Sequence, residues 1–132
     1  MSGNKIVIED EETGFIIEII NLHDCKRDCF YVGRGSSLGN PFSHKSSKYE
    51  VFQVSNRDEA IREYDKWIHE QIKYNTPQSR SLNECVQKLL FDKKIVLGCY
   101  CVPLPCHSEV LAKIILEMAK DFIKKRELFT SD

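Results

Sequence analysis

Two short stretches hold most of the residues able to do chemistry. The first is GRGSSLGNPF, Gly33 to Phe42. Its glycines leave room for backbone N–H groups to turn toward a ligand. Successive N–H groups in such a loop form a nest for anions. Arg34 adds a planar fork suited to phosphate or carboxylate, and Ser36, Ser37 and Asn40 add short polar handles. The pattern lacks the Gly-Lys-Ser/Thr ending of a P-loop. No helix pattern starts right after it, so it is not a Rossmann fingerprint. A structural turn is the competing reading, because Asn40-Pro41 is a common turn start.

The second stretch is CYCVPLPCH, Cys99 to His107. Three readings stand side by side. Cys106 is a reactive thiol with His107 or His44 beside it, its pKa lowered at a helix N-terminus. Alternatively Cys99, Cys101, Cys106 and His107 make a Cys3His zinc site, although the C-x-C-x4-C-H spacing departs from the usual pairs and adjacent Cys-His ligands are sterically awkward. Or the cysteines are small core residues, with Ser108 or His107 capping the helix. The expected site is therefore Gly33, Arg34, Gly35, Ser36, Gly39, Asn40 and Cys101 for ligand binding, with Cys106 and His107 as candidate catalytic residues. No cofactor is favoured over this set; zinc is the alternative.

Other candidates carry less. Cys25 and Cys29 can join a metal site from a distance, but such residues more often pack under a loop. His23 closes the second strand and can face the same cleft. His69 falls opposite an apolar stripe and reads as solvated, whereas Trp67 falls on that stripe and reads as packing. Glu109 in the first turn of the last helix, and Lys124, Lys125 and Arg126 near its end, suit the helix dipole.

These loops must be positioned by regular elements. Residues 4–9 and 15–20 are rich in β-branched side chains around a Glu-Glu-Thr-Gly turn signal, which predicts a hairpin. Residues 29–32 predict a third strand running into the glycine loop. Asn56 and Glu59 resemble a capping box, followed by Ala60, Ile61, Tyr64, Trp67, Ile68 and Ile72 at helical spacing. Thr76-Pro77 marks a break, and Ser81 with Glu84 repeats the cap signature before Leu82, Cys85, Val86, Leu89 and Leu90. Residues 95–101 predict a strand that is at least partly buried. Val110 through Ile123 repeat every three to four residues, an amphipathic helix. The order β-β-β-loop-α-α-β-loop-α makes a parallel crossover plausible. The expected fold is α/β, or α+β: a short mixed sheet of about four strands packed with three helices. One domain over 1–132 is expected, with a core at roughly 4–126 and a frayed tail from Phe129 to Asp132.

Composition sets bounds on function. The chain has 132 residues, 42% hydrophobic and 30% charged, an ordinary globular balance. Its formal net charge is -1, from 19 basic and 20 acidic residues, which argues against broad nucleic-acid binding. No apolar run approaches the roughly 18 residues of a membrane span. The polar N-terminus carries no secretory pattern, so a cytoplasmic location is expected. Six cysteines in a reducing compartment read as buried thiols, metal ligands or catalysts rather than disulfides.

Taken together, Tyr31-Val32-Gly33-Arg34-Gly35-Ser36-Ser37-Leu38-Gly39-Asn40-Pro41-Phe42, Leu97-Gly98-Cys99-Tyr100-Cys101 and Pro105-Cys106-His107 resemble the domain-of-unknown-function family numbered 4326, small proteins of phages and bacteria. Tyr64 and Trp67 fall where that family has a helix with an aromatic residue. Ser37 stands where the family often has proline, and Tyr100 where tryptophan is common. Cys25 and Cys29 are outside the pattern. The resemblance implies a compact α/β domain whose two motifs share one site, with Gly33, Arg34, Ser36, Gly39, Asn40, Cys99, Cys101, Cys106 and His107 matching. The expected function is binding or processing of a small phosphorylated, nucleotide-derived ligand, in nucleotide metabolism or immune evasion. Alternatives are a zinc-stabilised interaction module and an inhibitor of a host protein.

Overall fold

The computed structural model describes residues 5–43, 52–102, 104 and 106–130. His44, Pro103 and Pro105, which the sequence reading touched, lie outside the described residues, as do Ser131 and Asp132. Among the described residues the elements run β1 (Lys5–Glu9), β2 (Ile16–Asn21), β3 (Phe30–Tyr31), β4 (Phe42–Ser43), β5 (Phe52–Gln53), α1 (Arg57–Ile72), α2 (Pro77–Asp92), β6 (Lys94–Cys99) and α3 (His107–Thr130).

The β1–β2 hairpin closes through Asp10. Its carboxylate accepts from the Thr13 N–H at 3.0 Å and the Thr13 hydroxyl at 2.6 Å. Gly14 then turns the chain at a φ of 77°, where a Cβ is strained. Four strands form one mixed sheet in the order β1-β2-β6-β3. β1 is the antiparallel edge, and β2 and β3 flank β6 in parallel. The pairing of β4 with β5 is a separate two-stranded sheet that the sequence did not signal.

Alternation along the strands sorts the two faces of the sheet. Ile17, Ile19, Ile95, Leu97 and Cys99 are all buried in the core, with Leu82, Leu89, Leu111 and Ile115 from α2 and α3. The other face mixes charge with the apolar Ile16, Ile20 and Val96. There the buried Glu18 carboxylate takes Arg27 in a fork, at 2.6 and 3.1 Å, and Lys5 and Lys94 at 3.3 Å each. The three cations outweigh the cost of burial and hold the Glu18 carboxyl at about 2, with the Arg27 bond as the largest cause.

The connection from β2 to β3 crosses this face at Gly98. A Cβ there would run into the Cys29 sulfur and the Leu22 side chain, so only glycine lets the segment through. Cys29 thus packs under a loop, and burial raises its pKa.

Helix starts follow from side-chain caps. Asn56 accepts from the Glu59 N–H at 2.9 Å, and Glu59 reaches back to the Ser55 N–H at 2.7 Å, one residue before the expected partner. α2 begins earlier than the Ser81-Glu84 signature suggested. Thr76 is its cap, accepting from the Ser79 N–H at 3.0 Å, and Pro77 occupies the first turn, where its missing N–H costs nothing. The Thr-Pro pair read as a break is therefore the helix start. Ser81 lies inside α2 with its hydroxyl 2.5 Å from that of Ser37. α3 extends to Thr130.

Candidate functional site

β2, β6 and β3 end together. Asn21 pairs with Cys99, and Tyr31 with Gly98. The loops that leave these three parallel strands therefore gather at one edge, the usual place for a ligand crevice in open α/β sheets. Both sequence motifs belong to those loops. Asn21 ties them further: its amide donates to the Val102 carbonyl at 2.7 Å, and its side-chain oxygen accepts from the His23 N–H at 2.8 Å. The sequence reading passed over Asn21. The available signal was a polar residue ending the apolar run FIIEII.

The glycine loop is held mostly by its own side chains. Arg34 donates to the Asn40 carbonyl and, at 3.0 Å, to the Phe42 carbonyl. It clamps the loop across its neck with part of its five-donor fork. The Ser36 hydroxyl donates to the Gly33 carbonyl at 2.6 Å. Asn40 is buried; its amide donates to the Ala60 carbonyl at 3.2 Å and its oxygen accepts from the Phe42 N–H at 2.8 Å. Gly35 takes a φ of 93°. Gly39 sits so close to Gly33 that an added Cβ would lie 2.5 Å from the Gly33 carbonyl oxygen. Tyr64, fully buried on α1, donates to the Leu38 carbonyl at 2.7 Å.

The second loop places three sulfurs and an imidazole together. Cys99 and Cys106 are buried, with sulfurs 3.7 Å apart. Cys101 is half-buried. The Ser108 hydroxyl donates to the Cys106 sulfur at 3.0 Å. His107 Nε2 lies 2.6 Å from the Val32 carbonyl oxygen, which only accepts, so Nε2 carries the proton. Burial keeps the ring neutral by lowering its pKa. Nδ1 is then a lone-pair donor, 3.5 Å from the Cys106 sulfur. The His107 and Tyr64 rings meet in a T-shaped contact, with centroids 5.0 Å apart.

The expected lowering of the Cys106 pKa does not occur. Hydrogen bonding with Cys101 and Cys99, then burial, raises it instead. Those bonds favour the thiolate at Cys99. With 3% of its surface exposed, Cys106 does not present a nucleophile to solvent.

What the edge does present is aromatic. Tyr100 and Tyr31 are among the exposed large side chains, at 46% and 37%. The His23 ring lies 4.6 Å from Tyr100, and Tyr31 stands edge-on to Tyr100 at 6.1 Å. Phe42 is half-buried against the core instead. Arg34 acts electrostatically on His107, and Arg57 on Cys101. Cys25 stays outside the cluster, beside Arg27. Cys85 is buried on α2, pushed up to about 12 by that burial. His69 pairs on the surface with Asp65 at 3.0 Å. A groove between α1 and α3, lined by Asp65, His69, Glu109 and Lys113, includes no residue of either loop.

Residues 20–117 match the family described as domain of unknown function (DUF4326), and the chain belongs to that family. No curated protein and no solved structure matches it significantly. Among the described residues no helix is long and apolar enough to cross a membrane.

Proposed function

We propose that the chain binds a small phosphorylated, nucleotide-derived ligand at the edge where β2, β6 and β3 end. The observation that carries this reading is the exposed cluster of His23, Tyr31 and Tyr100 beside the glycine loop. A base stacks on such a ring with about 1–3 kcal/mol. The phosphate end falls to the Gly33–Gly39 turn, with Arg34 supplying the donors its clamp leaves over and Arg57 adding charge. Asn40 and Ser36 act within this reading by holding the loop in shape. The burial of Cys106 favours binding over nucleophilic catalysis. Nucleotide metabolism or sequestration of a nucleotide signal is the setting that goes with such a ligand.

The test is calorimetric titration with a panel of nucleoside mono-, di- and cyclic phosphates. At least one is expected to bind, and Tyr100→Ala is expected to weaken it by about 5- to 150-fold while leaving the unfolding midpoint in place, since the ring is exposed. Binding that survives both Tyr100→Ala and Tyr31→Ala at full strength rejects the site. A panel with no binder rejects the ligand class.

A further inference from the structure

The sheet has an open edge at β1. This strand reads Lys-Ile-Val-Ile-Glu and stands outermost in the order β1-β2-β6-β3. The Asp10 N–H donates to the Phe15 carbonyl at 2.9 Å, and the Ile16 N–H turns the other way, to the Lys93 carbonyl at 3.0 Å. Backbone direction alternates along a strand, so Ile6 and Ile8 aim their N–H and C=O groups at Ile19 and Ile17 of β2. Lys5, Val7 and Glu9 therefore aim theirs outward. Among the described residues no strand receives them. A row of such groups is a template for another strand.

The strand is its own complement. Two copies laid antiparallel about a two-fold axis set Lys5 against Glu9 of the second copy, Ile6 against Ile8, and Val7 against Val7. Every residue with outward backbone groups then faces another such residue, and each of these pairs can exchange both bonds. Sliding one strand by a single residue sets outward groups against residues already bonded to β2. Sliding it by two sets Val7 against a charged residue and breaks the charge pairing. We propose that the chain forms a two-fold dimer by pairing β1 with β1 of a second copy, so that the two sheets become one.

Side chains agree with this register on both faces of the sheet. Opposed residues of paired strands share a face and interact. Val7 is 53% exposed and meets its own copy. Ile6 and Ile8 are only partly buried against the core, and a second strand covers more of each. Lys5 reaches Glu18 at 3.3 Å with 40% of its side chain exposed, which leaves ammonium donors for Glu9 of the second copy. Charge also fixes the direction, because a parallel pairing sets Lys5 on Lys5 and Glu9 on Glu9. The dimer draws on no residue of the strand-end site and stands whether or not a nucleotide binds.

The experiment is sedimentation velocity of the full chain over a concentration series, which is expected to show a monomer–dimer equilibrium. Val7→Pro removes an outward N–H and no bond to β2, and is expected to give a monomer with unchanged circular dichroism. Glu9→Lys and Lys5→Glu each set like charges against one another at both ends of the pairing, and each is expected to weaken the dimer by about tenfold. Arg27 and Lys94 still hold Glu18 in Lys5→Glu. Mixing these two variants restores opposite charges at both ends, and a mixed dimer is expected, a rescue that a damaged fold does not give. Wild type that stays monomeric up to about 1 mM overturns the proposal, as does a dimer of full strength in folded Val7→Pro or in Glu9→Lys. A mixture no more dimeric than its two components overturns this register.

Discussion

His107 donates from Nε2 to the carbonyl of Val32 at 2.6 Å, a bond between residues 75 positions apart. It joins the start of α3 to the strand end that feeds the glycine loop. Tyr64 makes the matching bond from α1 to Leu38 and packs its ring against His107. Two buried side chains thus lock the two motifs into one unit.

Removing either bond leaves a buried carbonyl unpaired. His107→Phe and Tyr64→Phe are each expected to lower stability by about 1–3 kcal/mol, read from urea unfolding. Because the two rings touch, the double variant should lose less or more than the sum. Strict additivity would show that the loops are not held as one unit.

The glycines separate two kinds of constraint. At Gly14 a Cβ meets nothing within 4 Å, and only the φ of 77° is at issue. Gly14→Ala should cost about 1–2 kcal/mol, and Gly14→Asn should recover part of it because asparagine tolerates that region. At Gly39 the obstacle is the Gly33 backbone oxygen. Gly39→Ala is expected to cost about 1–3 kcal/mol, and Gly39→Asn should rescue nothing. Thermal unfolding of the four variants checks the contrast.

Glu18 makes stability depend on acid. Its folded pKa of about 2 lies below the ordinary 4.5. The stabilisation is full above 4.5 and is lost as pH falls toward about 2, where the folded carboxylate also takes its proton. Its ceiling is roughly 3 kcal/mol. Arg27→Ala should raise the Glu18 midpoint, followed by carboxyl NMR, lower stability near neutral pH, and flatten the loss of stability between about pH 5 and 3. An unmoved midpoint would assign the depression to Lys5 and Lys94.

Arg34 separates shape from charge. A lysine keeps the charge but loses the planar fork that spans the Asn40 and Phe42 carbonyls. If loop shape governs binding, Arg34→Lys should weaken the nucleotide found by calorimetry nearly as much as Arg34→Ala. Amide exchange in residues 33–39 should quicken in both. Full affinity in Arg34→Lys would make the charge alone sufficient.

Local patterns carried the sheet, the three helices and the family membership. β-branched runs define β1 and β2, apolar spacing defines the helices, and the two motifs survive as strings of residues because caps, turns and periodicity act over a few positions. The start of α2 was misread because Thr76-Pro77 serves equally as a break and as a cap with its first turn, and only packing chooses between them. The β4–β5 pairing left no signal in strands two residues long. Roles within the site depended on tertiary structure. Arg34 and Asn40 look like ligand donors in sequence, yet the fold spends them on carbonyls of Asn40, Phe42 and Ala60. Tyr31 ends β3 while His23 and Tyr100 follow β2 and β6, and they meet only because three parallel strands end in register. The contacts among Cys99, Cys106 and His107 were not legible either, because sulfur and nitrogen distances are set by how a strand end and a helix start face each other, which no sequence interval encodes.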